Sequence, residues 1–197
     1  MPDTGTLAKP TGAAAQKTEH FDVLIVGAGI SGIGSAYHLQ QQCPDKSFVI
    51  LETLETFGGT WHTHRYPGIR SDSDLYTFGY RFKPWTGDPI ASADKILNYM
   101  EEVIEDNDLD RHIRYGHKIV SADWSKDDAL WTVHAVRVDT GEELRFTTNF
   151  LWMCQGYYRH DPLSYTPLRA HETPEHLVCR PIPDTKQTPT IHPQPLC

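Results

Sequence analysis

Phe21-Asp22-Val23-Leu24-Ile25-Val26 runs straight into Gly27-Ala28-Gly29-Ile30-Ser31-Gly32, and this junction decides the fold. Four consecutive apolar residues, three of them β-branched, read as a strand buried on both faces, the kind found in parallel sheets. From Ser31 to Gln42 the pattern becomes helical, with Ile33, Ala36, Tyr37 and Leu39 near one face, and Cys43-Pro44 stops it. Ser47 to Leu51 is a second buried strand, closed by Glu52. Strand, helix and strand within about 30 residues make a βαβ unit. In the GxGxxG between the first strand and the helix, Gly27 permits the tight turn. Gly29 lets a pyrophosphate approach the backbone, and Gly32 lets the helix pack on the sheet. A further glycine follows at Gly34. The helix start offers free N–H groups and a partial positive charge to an anion, here through Ser31 and its neighbours. Glu52 stands 25 residues after Gly27, where an acid accepts the hydroxyls of an adenosine ribose. The pattern predicts a dinucleotide site. It fits FAD and NAD alike, and the carboxylate disfavours a ribose carrying a 2′-phosphate.

Outward from this unit, residues 1–19 are small, polar and aperiodic, and read as a disordered leader. Thr53 to Pro89 is long and rich in Gly, Pro, Trp, Tyr and Arg, which marks it as functional ground. Ser92 to Asp106 reads as a helix with Ile96, Leu97, Met100, Val103 and Ile104 on one stripe and Ser92 as N-cap. Glu101, Glu102, Glu105, Asp106 and Asp108 read as its solvated side. Arg111–Asp139 and Glu143–Cys154 read as strands of a small antiparallel meander, with Asp139-Thr140-Gly141 as a turn and a return strand around Asn149–Cys154. Residues 161–197 hold eight of the 14 prolines and show no period, so they read as an irregular tail. The expected architecture is α/β: a Rossmann-like domain over residues 20–160, incomplete, with the meander attached and the tail following.

Composition narrows the function. With 18 Lys+Arg against 26 Asp+Glu, the net charge of −8 argues against nucleic-acid binding. No apolar run reaches the roughly 18–20 residues of a membrane span, and the N-terminus lacks the apolar segment of a secretory signal. Cys43, Cys154, Cys179 and Cys197 are far apart and read as reduced thiols of a cytoplasmic protein. His62-Thr63-His64 offers two histidines without a third ligand, a weak metal pattern, and no metal site is expected.

Phe57-Gly58-Gly59-Thr60-Trp61 follows soon after Glu52. Its paired glycines allow a close backbone approach, and its indole suits a flat ring system. With Arg65-Tyr66-Pro67-Gly68-Ile69-Arg70-Ser71-Asp72-Ser73-Asp74, Phe82-Lys83-Pro84-Trp85-Thr86-Gly87, and Arg111-His112-Ile113-Arg114 followed by His117 to Trp124, the chain resembles the class B flavoprotein monooxygenases. More narrowly, it resembles the Baeyer–Villiger type and its mycobacterial ethionamide-activating subgroup. The resemblance covers about residues 20–158 and implies the N-terminal, FAD-binding part of such an enzyme. In family terms the reaction is an NADPH- and O2-dependent oxygenation of ketones or sulfides.

Carried over by position, the resemblance implies that Gly27, Gly29, Ser31 and Gly32 hold the pyrophosphate and that Glu52 takes the ribose. It places Thr60 and Trp61 beside the flavin and Ile119 against the adenine through its backbone. Arg70, Ser71 and Asp72 fall where flavin and nicotinamide meet. Asp72 is implied as the catalytic contributor, positioning an arginine carried on a second nucleotide domain. Read without the resemblance, Asp72 pairs with Arg65 or Arg70 in a structural network. Trp85, Trp124, Trp131 and Trp152 read as packing. The family's second GxGxxG and its FxGxxxHxxxWP fingerprint do not occur in these 197 residues. The chain therefore reads as a truncated product, not competent for turnover alone. The alternative is a non-catalytic FAD- or ADP-binding remnant.

Overall fold

The structure, a computed structural model, describes residues 18–156. The expected leader up to residue 17, the end of the 20–160 domain and the proline-rich tail lie outside them. Strand β1 (Thr18–Val26) begins three residues before the apolar run and takes in the last two residues of the expected leader. The added residues pair with a distant strand, residues 18–20 against 145–147; beside them Arg114 donates to both oxygens of Glu19, at 2.9 and 2.8 Å, and its guanidinium lies over the rings of Phe21 and Phe146. Helix α1 (Ile30–Gln42) and strand β2 (Phe48–Leu51) complete the βαβ unit, with β1 and β2 parallel and Val23–Val26 in register with Phe48–Leu51.

Two short helices, α2 (Thr60–Thr63) and α3 (Leu75–Phe78), lie in the aperiodic segment, and Asp74 caps α3 by accepting the Thr77 N–H. Helix α4 (Ala93–Asp106) follows. Ser92 is its N-cap residue, but contrary to expectation its side chain makes no capping bond. The buried stripe is Ala93, Ile96, Tyr99, Met100, Val103 and Ile104, with Leu97 only half-buried.

The rest of the sheet departs from the expected meander at two points. Strand β3 (Ile113–Arg114) is not antiparallel; it joins β2 as a parallel edge. Strands β4 (His117–Ser125), β5 (Leu130–Arg137) and β6 (Glu143–Met153) do form an antiparallel meander. However, the return strand is not a separate element. The first part of β6 pairs with β5, and the same strand runs on parallel to β1 through Met153. The sheet order is β3-β2-β1-β6-β5-β4.

Both faces of the parallel part are covered, which is why its strands are apolar without alternation. Val23, Ile25, Phe48 and Ile50 pack with Ile33, Ala36, Ile96, Met100 and Val103 of the two long helices. Leu24, Val49 and Leu51 point the other way, onto Val133, Ala135 and Phe146 of β5 and β6. The antiparallel strands therefore curl back over the parallel ones. Although β4 is last in the order, its first residue returns to β2: the His117 N–H donates to the Glu52 carbonyl at 2.8 Å. Of the four tryptophans expected in packing roles, Trp85 meets Tyr99 edge-on, while Trp124 and Trp152 are 47% and 37% exposed.

Asp22 ties β1 to the start of β2. Its Oδ2 accepts the Ser47 N–H at 2.8 Å and the Ser47 hydroxyl at 2.7 Å, and these bonds, more than the nearby Lys46, hold its carboxyl down at about 2. A carboxyl depressed in the fold stabilises above its ordinary value of 3.8 and loses that contribution as pH falls toward 2. Asp22→Asn is therefore expected to lower the urea midpoint at neutral pH and to flatten its decline between about pH 4 and pH 2. Superimposable pH profiles for the two proteins would rule this role out.

Candidate functional site

The loop between β1 and α1 is locked from three sides. Gly27 has φ +99, and a Cβ there would meet the Cys154 carbonyl at 2.9 Å, so the turn needs glycine on both counts. Its N–H donates to the Leu51 carbonyl at 2.8 Å. Gly32 faces the Gly27 carbonyl so closely that a Cβ would stand 1.9 Å from it. This is the close approach of helix to strand that the third motif position implied. Gly29 is different. Its backbone is extended (φ −78, ψ −175), and an added Cβ would find only the Gly59 Cα, at 3.8 Å. That is ordinary van der Waals contact, so the protein's own packing does not require glycine here.

Glu52 is buried, with 8% exposure, and its carboxylate is already engaged. Oε2 accepts the Ala28 N–H at 2.7 Å, inside the glycine loop, and Oε1 accepts the Leu54 N–H at 2.9 Å. The second strand's terminal acid thus holds the loop that the first strand ends in. A carboxylate has about four acceptor positions, so each oxygen keeps one for a hydroxyl. Tyr115 lies close by, and burial, with added repulsion from Asp110 and Glu52, pushes its phenol up to about 12.

The glycine-rich segment expected beside the flavin does come to the loop. The Gly58 N–H donates to the Ala28 carbonyl at 3.0 Å, and Gly59 approaches Gly29 so closely that a Cβ on Gly59 would stand 3.2 Å from the Gly29 Cα. Thr60 and Trp61 then open α2. Trp61 is the one predicted residue that also lines a cleft of about 400 Å3, together with His64, Arg65, Ile69, Asp94 and Leu97. Sequence reasoning missed this cleft because its walls come from two separate segments, residues 61–69 and 92–97.

Of the remaining predicted residues, Ser31 belongs to the loop motif and the others lie on other segments. Ser31 is exposed in the first turn of α1. Ser71 is buried and faces inward: its backbone N–H donates to the Ala91 carbonyl at 2.9 Å, and its hydroxyl accepts the Ala91 N–H at 3.2 Å. Arg70 is exposed, bridged to Ser92, and donates to the Gly68 carbonyl. Asp72 is exposed and accepts only a long bond from Ser73, at 3.4 Å. Among the described residues no ion pair joins Asp72 to Arg65 or Arg70, so the structural network read for it does not form. Ile119 sits half-buried on β4, two residues after His117, whose N–H reaches Glu52. The β4–β5 register shifts just beyond it, between Ile119 and Ser121.

These features test the fit of a dinucleotide. Gly29 leaves the start of α1 without a side chain although the protein's own packing would accept one, which fits an anion approaching the backbone. No side chain caps α1, so its first-turn N–H groups have no partner within the helix. The Glu52 carboxylate is positioned and keeps acceptor capacity. The residues present fit an ADP moiety. Among the described residues no helix is long and apolar enough to cross a membrane, and no cluster of three metal-ligating side chains occurs.

Comparison with known proteins agrees. Residues 25–86 match the NAD(P)-binding Rossmann-like domain. The FAD-containing monooxygenase EthA of Mycobacterium tuberculosis is 54% identical over 151 residues, 76% of this chain. The chain spans only about 30% of that relative's length. Among solved structures, an oxidized steroid monooxygenase bound to NADP matches with a TM-score of 0.62 and 31% identity, over 70% of this chain and 26% of that one. A cyclohexanone-bound cyclohexanone monooxygenase matches with a TM-score of 0.64 and 27% identity, over 73% of this chain and 28% of its own. FAD and NADP are thus the nucleotides of these relatives. The glycine loop, its carboxylate clasp and the GGTW segment laid against it are the local signature, and by sequence and fold together the chain is similar to part of the Baeyer–Villiger-type FAD-containing monooxygenases.

Proposed function

We propose that residues 18–156 bind the ADP moiety of FAD, as part of a cytoplasmic monooxygenase that uses NADPH and O2 to oxygenate a ketone or sulfide. The observation that carries this reading is the Glu52 carboxylate, buried and clasped to the glycine loop through the Ala28 N–H at 2.7 Å. That clasp sets the ribose acceptor and the phosphate donors at a fixed spacing before any ligand arrives, so little ordering cost falls on binding. The first-turn N–H groups of α1, including those of Ser31 and Gly32, bind the pyrophosphate with the helix dipole behind them. Glu52 orients the ribose through its hydroxyls. Thr60 and Trp61 lie on the segment that Gly58 anchors to Ala28, which carries them toward the flavin end. Arg70 and Asp72, both exposed, with Ser71 bracing the segment from beneath through Ala91, form the wall at which the flavin and nicotinamide edges are expected to meet. Bound FAD would supply the redox centre for oxygenation. The protein's own part is to hold, orient and screen it.

Titration of the full 197-residue chain with FAD and with ADP, read by calorimetry and flavin fluorescence, tests the first step. Both ligands are expected to bind one to one, with NADP+ much weaker at this site because its 2′-phosphate would face the Glu52 carboxylate. Saturable binding of neither FAD nor ADP would overturn the reading. Tighter binding of NADP+ than of ADP would do the same.

A further inference from the structure

The fourth glycine, Gly34, has no part in the dinucleotide motif, yet it faces a specific neighbour. A Cβ at Gly34 would stand 2.8 Å from Cε1 of Tyr80, so the ring lies directly on the helix backbone. The Tyr80 hydroxyl donates to the Ile30 carbonyl at 2.5 Å. Tyr80 is therefore set into the first turn of α1 from the side. It is held there firmly. Its own N–H donates to the Tyr99 hydroxyl at 2.7 Å, and that hydroxyl donates to the Lys83 carbonyl at 2.6 Å. Its ring stacks on Phe82, which stacks on Tyr37 of α1. Lys83 in turn meets Glu102 and Asp106 of α4.

The carbonyl that Tyr80 engages belongs to the Ile30–Ser31 peptide, and the N–H of that peptide is the one Ser31 presents at the start of α1. A hydrogen bond to a peptide oxygen polarises the peptide and strengthens its N–H as a donor. It also fixes the plane of the peptide, and with it the direction of that N–H. We propose that Tyr80 is a positioning residue of the phosphate loop, orienting and polarising the Ile30–Ser31 peptide toward the pyrophosphate, and that Gly34 is glycine to admit it. This inference rests on the ADP-binding reading above and adds a residue 50 positions from the motif to its machinery.

The test compares ADP with adenosine, which has the ribose and base but no phosphate, as ligands of the full chain. Tyr80→Phe keeps the ring and removes the hydroxyl. It is expected to weaken ADP about 3- to 10-fold, the range of one ordinary hydrogen bond, and to leave adenosine unchanged. Gly34→Ala provides an independent variant: alanine favours the helix, but its methyl forces the ring off the Ile30 carbonyl, so the same selective loss is expected. An equal loss of both ligands in either variant would mean a merely structural role and would overturn the proposal. Unchanged ADP affinity in either variant would also overturn it. If the unaltered chain binds neither ligand, the ADP-binding reading itself falls and this inference with it. If it binds ADP and the variants do too, only the inference falls.

Discussion

Gly32→Ala is expected to destabilise the domain strongly, while Gly29→Ala, three residues away in the same motif, leaves the fold intact and removes binding. The two glycines do different work. An alanine methyl at position 32 would stand 1.9 Å from the Gly27 carbonyl oxygen and 3.0 Å from its carbon. Those are backbone atoms that no rotamer change can move. Relief requires α1 to shift away from β1, disturbing the contacts of Ile33 and Ala36 with Ile25 and Ile50. Overpacking of this kind costs about 1–3 kcal/mol, and against rigid backbone the upper end or beyond is expected. The urea midpoint should fall accordingly, and ADP binding should be lost with it. Position 29 has an extended backbone that any residue adopts and no atom nearer than 3.8 Å to an added Cβ. Gly29→Ala should therefore keep its unfolding free energy within about 0.5 kcal/mol of the parent and lose ADP affinity, because the methyl would stand where a phosphate approaches the backbone. A Gly32→Ala protein as stable as the parent would show that α1 does not sit where the structure places it. A Gly29→Ala protein that binds ADP normally would move the phosphates elsewhere.

Glu52→Ala is expected to weaken the fold and the binding together. Its carboxylate accepts two backbone N–H groups, from Ala28 and Leu54, in a buried setting. Each donor left unpaired costs about 1–3 kcal/mol, so a stability loss of a few kcal/mol is expected before any ligand is considered. Loss of the charge-assisted bond to a ribose hydroxyl, worth about 1.5–3 kcal/mol, further weakens ADP on the order of 10- to 100-fold. The two effects separate through the ligand. The parent chain should prefer ADP over its 2′,3′-dideoxy analogue, and Glu52→Ala should erase that preference whatever its stability. If the variant discriminates the two ligands as the parent does, Glu52 clasps the loop and does not hold the ribose.

How legible this was depends on how far apart the interacting residues stand in the chain. The βαβ unit, the helix of α4 and the hairpin strands are local. Their apolar periods, glycines and turn residues are set within a few to about 30 residues, so each could be read directly. The extension of β1 back to Thr18 was hidden because it depends on pairing with residues 145–147, at the other end of the domain's sequence. Strand β3 is two residues long and carries no period, so only its pairing with Ile50 and Leu51 defines it. Strand β6 looked like two strands because it serves two partners, β5 along its first part and β1 throughout.

The site divides in the same way. The residue types that an ADP moiety needs, and their spacing from Gly27 to Glu52, lie in one contiguous stretch of sequence, because turn, helix start and strand end are neighbours along the chain. That the carboxylate clasps the glycine loop, that Gly59 rests on Gly29, that Ser71 turns inward to Ala91 and that Tyr80 enters the first turn of α1 were decided only by the tertiary structure. The clasp lies within the motif's own spacing but turns on which backbone groups the carboxylate reaches; the other three contacts join segments whose separation along the chain has no period and no motif. They exist because packing both faces of one curled sheet brings those segments to the same end of it.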